Sequence, residues 1–83
     1  MKVALKLFAT LGDYLPPERK GNVVALEVDE GTTVQTLIDR FGVPERLAHL
    51  VLVNGVYIPP AQRAAHRLVD ADELAVWPPV AGG

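Results

Sequence analysis

The run VVALEVDEGTTVQTLIDRFG, Val23 to Gly42, decides the fold, because its hydrophobic period changes once, in the middle. From Val23 to Asp29 the residues Val24, Leu26 and Val28 share one face, the period of two that marks a strand with one buried side. Beyond Gly31 the apolar positions become Val34, Leu37, Ile38 and Phe41, the i, i+3, i+4, i+7 stripe of an amphipathic helix. Thr32 or Thr33 can cap that helix, and Thr32 with Gln35 has capping-box spacing. Gly42 followed by Pro44 ends it.

Period two recurs on both sides of this run. Lys2 to Ala9 places Val3, Leu5 and Leu7 inward, with Lys2, Ala4, Lys6 and Phe8 on the other side. Between these strands, Thr10 to Asn22 is rich in turn residues, and Thr10 to Leu15 is expected to form a helical turn that Pro16-Pro17 stops. After the helix, Pro44 to Ala48 has the composition of a further short helical turn. Leu50 to Val53 and Val56 to Ile58 flank Asn54-Gly55, the pair that most strongly signals a hairpin. Ala61 to Asp72 reads as loop, with a turn at Asp70-Ala71-Asp72, and Glu73 to Trp77 as a last strand with Leu74 and Val76 inward. The order β, β, α, β, β, β predicts an α+β domain in which one helix covers one face of a mixed sheet.

The chain has 83 residues, room for one small domain with a thin core. A hydrophobic fraction of 49% and a charged fraction of 22% argue against disorder. The net charge of -2 carries no electrostatic signature of nucleic acid or anionic membrane. No apolar stretch approaches the roughly 20 residues that span a bilayer, and Lys6 interrupts the N-terminal apolar run, so no signal peptide is expected. The expectation is a soluble, cytoplasmic domain that binds neither nucleic acid nor membrane. Serine and cysteine are both absent, the threonines at 10, 32, 33 and 36 have no adjacent amine to activate them, and His49 and His66 lie on separate segments. The chain is therefore expected to have no catalytic side chains and no metal site of its own.

The end of the chain is unusual. From Leu74 to Gly83 no side chain is charged, and the sequence closes Trp77-Pro78-Pro79-Val80-Ala81-Gly82-Gly83. Pro78-Pro79 fixes two φ angles and biases Trp77 to an extended state, so the tail leaves the last strand in a set direction. Val80 and Ala81 are apolar where exposure favours polar residues, which suggests a partner groove. Gly82 and Gly83 lack side chains and suit a narrow channel. At about 3.3–3.6 Å per residue, Val80 to Gly83 reaches roughly 13–14 Å beyond the prolines. A carboxylate delivered in this way is a poor electrophile until it is activated, for example as an acyl-adenylate, after which sulfur or an amine can displace the nucleotide.

The helix opening Gly31-Thr32-Thr33-Val34, the Val53-Asn54-Gly55 turn, the run Leu68 to Leu74 and the ending Trp77 to Gly83 together resemble the ubiquitin-like sulfur carriers of the MoaD/ThiS family. The resemblance covers essentially the whole chain. The Pro-Pro ending favours the small subunit of molybdopterin synthase, whereas the Asn54 to Pro60 hairpin looks more like the thiamine-type carriers. It implies a β-grasp domain over residues 1–77, with the first and last strands parallel and central, and a flexible tail over 78–83. It implies that Gly83 is adenylated and then carries sulfur as a thiocarboxylate, with Gly82 and Ala81 preceding it in the partner's channel. The implied partners are a large subunit that binds the molybdopterin precursor, an E1-like adenylating enzyme that uses ATP, and a sulfur donor system. The chain itself would bind no cofactor.

Phe8, Trp77, Pro78, Pro79 and Val80 are the candidate partner surface; for Phe8 and Trp77 the other reading is packing within the domain. Asp70, Asp72 and Glu73 are read as turn formers before cation ligands, and Lys2 and Lys6 as solvated edges of the first strand. Three functions remain open on the sequence: a sulfur carrier, a protein modifier joined to lysines through Gly83, and a plain ubiquitin-like interaction domain.

Overall fold

A computed structural model describes residues 1–80; Ala81, Gly82 and Gly83 lie outside the described residues. Five strands, β1 (Lys2–Leu7), β2 (Val23–Glu27), β3 (Leu50–Val53), β4 (Val56–Tyr57) and β5 (Glu73–Trp77), form one mixed sheet in the order β2-β1-β5-β3-β4. The helix α1 (Val34–Arg40) lies between β2 and β3 in sequence. β1 and β5 are parallel and central, and the other pairs are antiparallel, which is the β-grasp arrangement.

One face of the sheet makes the core. Val3, Leu5 and Leu7 of β1, Val24 of β2, Val51 and Val53 of β3, and Leu74 and Val76 of β5 are buried with Val34, Leu37 and Ile38 of α1. Each such Val, Leu or Ile contributes about 1.5–3 kcal/mol on burial. A helix of 7 residues is far below the roughly 12–15 at which isolated helices become marginal. Packing therefore holds it. Thr33 is the cap: its Oγ1 accepts from the Thr36 N–H at 3.1 Å. The Thr32–Gln35 capping box does not form, because Thr32 Oγ1 donates to the Asp29 carbonyl and Gln35 Nε2 to Asp39. Phe41 is the C-cap and packs half-buried against the core.

Several boundaries shift. β1 stops at Leu7, not Ala9, because Ala9 adopts a left-handed φ of 52° and turns the chain into a 3-10 segment at Ala9–Tyr14. That segment corresponds to the expected helical turn, and Leu11 and Leu15 from it are buried in the core. β2 ends at Glu27, two residues early, although Val28 remains buried. Ile58 lies beyond β4 but still donates its N–H to the Val51 carbonyl at 2.9 Å. At the hairpin, Asn54 and Gly55 have φ of 50° and 83°, the left-handed pair a type I′ turn requires.

The segment read as loop, Ala61 to Asp72, is more ordered than its composition suggests. A 3-10 turn at Pro60–Gln62 leads to Arg63, which is 3% exposed. Further on, Val34 N–H donates to the His66 carbonyl and Leu68 N–H to the Thr32 carbonyl, both at 2.9 Å, so this stretch straps the start of α1. Asp72, 6% exposed, accepts from Val69 N–H and Asn54 Nδ2, each at 2.8 Å, and Asp70 accepts from Lys2 N–H at 2.8 Å. These acids make the turn into β5. Lys6, read as a solvated edge of the first strand, is half-buried on the internal strand β1, and its Nζ pairs with Glu73 at 3.1 Å.

Leu37 is wholly buried beneath the sheet. Leu37→Ala is expected to cost about 2–4 kcal/mol, read as a lower urea midpoint with an unchanged slope. A loss under about 0.5 kcal/mol would contradict the core assignment.

Candidate functional site: the open sheet face beside the C-terminal exit

α1 covers one face of the sheet. On the other, the pairing register aligns Val23, Lys6, Ala75, Leu52 and Tyr57 in a row across all five strands. The next row toward the end of β5 carries Trp77 and Leu50, and Phe8 follows directly from β1. Leu50 is 37% exposed, Tyr57 is exposed and Leu52 is half-buried. Together these residues form an apolar patch at the end of the sheet from which the chain leaves.

Phe8 and Trp77 meet there. Their ring centroids are 4.1 Å apart and their planes differ by 6°, a parallel stack, and both are half-buried. Parallel pairing of β1 and β5 brings them together: Leu7 pairs with Val76, so the next residue on each strand projects to the same side. Phe8 N–H donates to the Val76 carbonyl at 3.1 Å, and Ala9 then turns the chain away. The choice between internal packing and an exposed surface thus dissolves, since each ring packs on the other while remaining partly open. Pro78 is half-buried, Pro79 is exposed, and Val80 is 79% exposed. Ala81, Gly82 and Gly83, the expected reacting end, lie outside the described residues.

Arg63 fixes this exit from below. Its Nη1 donates to the Ala48 carbonyl at 2.6 Å, Nη2 to the His49 carbonyl at 3.1 Å and Nε to the Ile58 carbonyl at 3.3 Å. His49 N–H in turn donates to the Trp77 carbonyl at 3.1 Å. The guanidinium therefore clamps the chain that borders Trp77, using the several fixed donors that suit arginine to the task. His49 is exposed and His66 half-buried; among the described residues no group of His, Asp and Glu is arranged to hold a metal ion.

Sequence reasoning missed Leu50, Leu52, Tyr57 and Arg63. The first two had a signal: Leu50-Val51-Leu52-Val53 is apolar on both faces, whereas one covering helix explains only one.

These features define a ubiquitin-like β-grasp domain with an apolar open face beside its C-terminal exit. The ThiS family model matches residues 5–83. The chain belongs to the ThiS family, the MoaD/ThiS-like sulfur carriers it resembles. Among solved structures it is similar to SAMP1 from Haloferax volcanii (TM-score 0.69, 24% identity, covering 100% of both chains). It is also similar to a putative molybdopterin converting factor subunit 1 from Pyrococcus furiosus (TM-score 0.67, 24% identity, 95% of this chain and 98% of that one). A third likeness is to the complex of subunits 1 and 2 of molybdopterin-converting factor from Helicobacter pylori (TM-score 0.60, 20% identity, 100% of both chains). At these identities the structures speak to the fold alone. No curated protein matches the chain significantly.

Arg63→Met keeps the stem and removes the donors of three carbonyls. It is expected to cost about 1–3 kcal/mol, measured by urea unfolding followed through the single tryptophan, Trp77. A variant as stable as the parent would show that the clamp is dispensable.

Proposed function

We propose that the chain is a sulfur carrier in which the Gly83 carboxyl is the reacting group and the β-grasp domain is the handle by which partners hold it. The observation that carries this reading is the family match, which continues to Gly83 itself. The apolar face beside the exit supports it, because a domain without serine or cysteine nucleophiles can act through partners that grip it there.

The chemistry is short. The Gly83 carboxylate attacks the α-phosphorus of ATP on an E1-like adenylating enzyme, and pyrophosphate leaves. Hydrosulfide, or its equivalent from a sulfur donor system, adds to the acyl carbon, and AMP leaves with the bonding electrons. The product is a terminal thiocarboxylate. When an acceptor takes the sulfur, water restores the carboxylate. ATP and the acceptor are both bound by partners, and the domain contributes position and reach.

For the acceptor, the favoured reading is the molybdopterin branch, with this chain as the small subunit of molybdopterin synthase in molybdenum or tungsten cofactor biosynthesis. Its support is the Trp77-Pro78-Pro79 ending, which resembles that of the molybdopterin-type carriers; the fold shared with the Helicobacter pylori complex of subunits 1 and 2 is consistent with it. A large subunit would cover Phe8, Trp77, Leu50 and Val80, receive Ala81, Gly82 and Gly83 in a channel, and bind the pterin precursor. The intact mass of the protein from its native host is the direct test. The expected result is the gain produced by exchanging one oxygen for sulfur. The unmodified mass, with the chain found joined through Gly83 to lysines of other proteins, would replace this reading with that of a modifier. Loss of thiamine rather than molybdopterin on gene deletion would move the carrier to the other branch.

Deleting Gly83 is expected to abolish thiocarboxylate formation and leave the unfolding midpoint unchanged, because the buried core among the described residues runs from Val3 to Val76. A truncated chain that still supports sulfur transfer would overturn the assignment. Trp77→Ala is expected to weaken binding of the large subunit by about 2 kcal/mol or more, roughly thirtyfold in affinity, while adenylation persists. Unchanged affinity with a lower unfolding midpoint would leave Trp77 a packing residue only.

A further inference from the structure

The two edges of the sheet are unlike. β4 is two residues long and is followed by Pro59-Pro60, so it offers little to a further strand. β2 is five residues long, without proline, and its outer edge is open. Which of its backbone groups are free follows from the ladder with β1. Met1 and Val28 exchange hydrogen bonds at 3.0 and 2.9 Å, and Leu7 N–H donates to the Asn22 carbonyl at 3.0 Å. Antiparallel alternation then makes Val3–Leu26 and Leu5–Val24 the bonded pairs, and turns the N–H and C=O of Val23, Ala25 and Glu27 outward. Lys20 takes both groups of Val23, at 2.8 and 3.2 Å. Those of Ala25 and Glu27 have no partner among the described residues.

We propose that this edge pairs with the same edge of a second copy of the chain, antiparallel, with Ala25 of each copy opposite Glu27 of the other. The two-fold axis then passes beside Leu26. This register alone satisfies every free group: Ala25 and Glu27 exchange both hydrogen bonds, twice over by symmetry. Centring the pair on Ala25 instead would drive Glu27, still within β2, into the position Lys20 already fills beside Val23, whereas in the chosen register only Asp29, past the end of β2, falls opposite Val23.

The side chains agree with the chosen register. Leu26, half-buried on the helix side of β2, meets its own copy at the axis, in the close spacing of a non-hydrogen-bonded pair. On the open face each Glu27 lies opposite a small Ala25, so no like charges meet. Past Val28 the chain leaves the sheet at Asp29 and Glu30, both exposed, and the register brings them to Lys20 of the other copy, also exposed. Opposite charges therefore close both ends of the seam. The seam lies two strands from β5, so the Phe8–Trp77 patch and Val80 stay open on both copies. The pair is one continuous sheet of ten strands, with a C-terminal exit beside β5 in each half.

The test is sedimentation velocity with amide exchange on the full chain, from micromolar to millimolar concentration. The expected result is a reversible dimer in which the Ala25 and Glu27 amides exchange at least tenfold more slowly than in dilute solution, while the Tyr57 amide is unaffected. Lys20→Glu should weaken the dimer about tenfold without moving the unfolding midpoint of the monomer in dilute solution. Adding Asp29→Lys and Glu30→Lys to it should restore association. A chain that stays monomeric at millimolar concentration overturns the proposal. So does a dimer that leaves the Ala25 and Glu27 amides fast or ignores the charge reversal.

Discussion

Parallel pairing of β1 with β5 is the constraint on which the remaining structure depends. It joins the first strand of the chain to the last, so the sheet cannot be completed until Glu73 to Trp77 is present. Such long-range pairing is costly in loop entropy. What secures it is a turn at Asp70-Ala71-Asp72 that is itself tied to β1: Lys2 N–H donates to Asp70, Ala71 N–H to the Lys2 carbonyl at 2.7 Å, and Ala4 N–H to the Asp72 carbonyl at 2.9 Å. Ala71 accepts a left-handed φ of 72° to make those bonds. That conformation costs a non-glycine residue about 1–2 kcal/mol, and the surrounding hydrogen bonds offset it. The same register that starts here delivers Phe8 onto Trp77 at the opposite end.

The strands and the helix were legible because one face of each is buried and the period betrays which. Val24 and Val28, Leu37 and Ile38, Leu74 and Val76 all fall where their spacing places them. Ends were less legible. Nothing in the composition of Phe8-Ala9 marks the left-handed turn that stops β1, since alanine is an ordinary strand-neutral residue. The thirteen-residue turn-rich stretch Thr10 to Asn22 also concealed two core residues, Leu11 and Leu15. A 3-10 segment has too few residues for its period to emerge from sequence.

The strap from Arg63 to Asp72 was illegible for a different reason. Its order comes from buried polar groups, and burial of an arginine or an aspartate leaves no hydrophobic pattern. Arg63 satisfies carbonyls of Ala48, His49 and Ile58 that would otherwise be desolvated without donors, and Asp72 does the converse for Val69 N–H and Asn54. In a domain this small the apolar core alone is thin, and these two side chains do work that a longer chain would give to another strand or helix. Of the candidate site, the stack partners Phe8 and Trp77 were legible from alternation, while Leu50 and Leu52 were hidden because an all-apolar strand reads the same from either side.

On the proposed function, the chemistry and the fold are separated along the chain, and that separation would account for the absence of serine and cysteine. A carrier whose reacting group is a backbone carboxyl needs no side-chain nucleophile, and a serine or cysteine near the activated terminus would compete for the acyl group. Every residue of the domain is then free to serve packing, edges or partner contact. The open face divides accordingly: Lys6 and Glu73 neutralise each other in the middle, while the uncharged residues gather where β5 ends. Polar groups there would have to be desolvated each time a partner bound and resolvated each time it left. Apolar contacts lack that cost and are non-directional, which would suit the proposed carrier, whose surface would engage one protein for activation and another for donation. An uncharged exit beside a stiff Pro78-Pro79 is thus the arrangement the proposed carrier would need, since its partners would hold, empty and release it repeatedly.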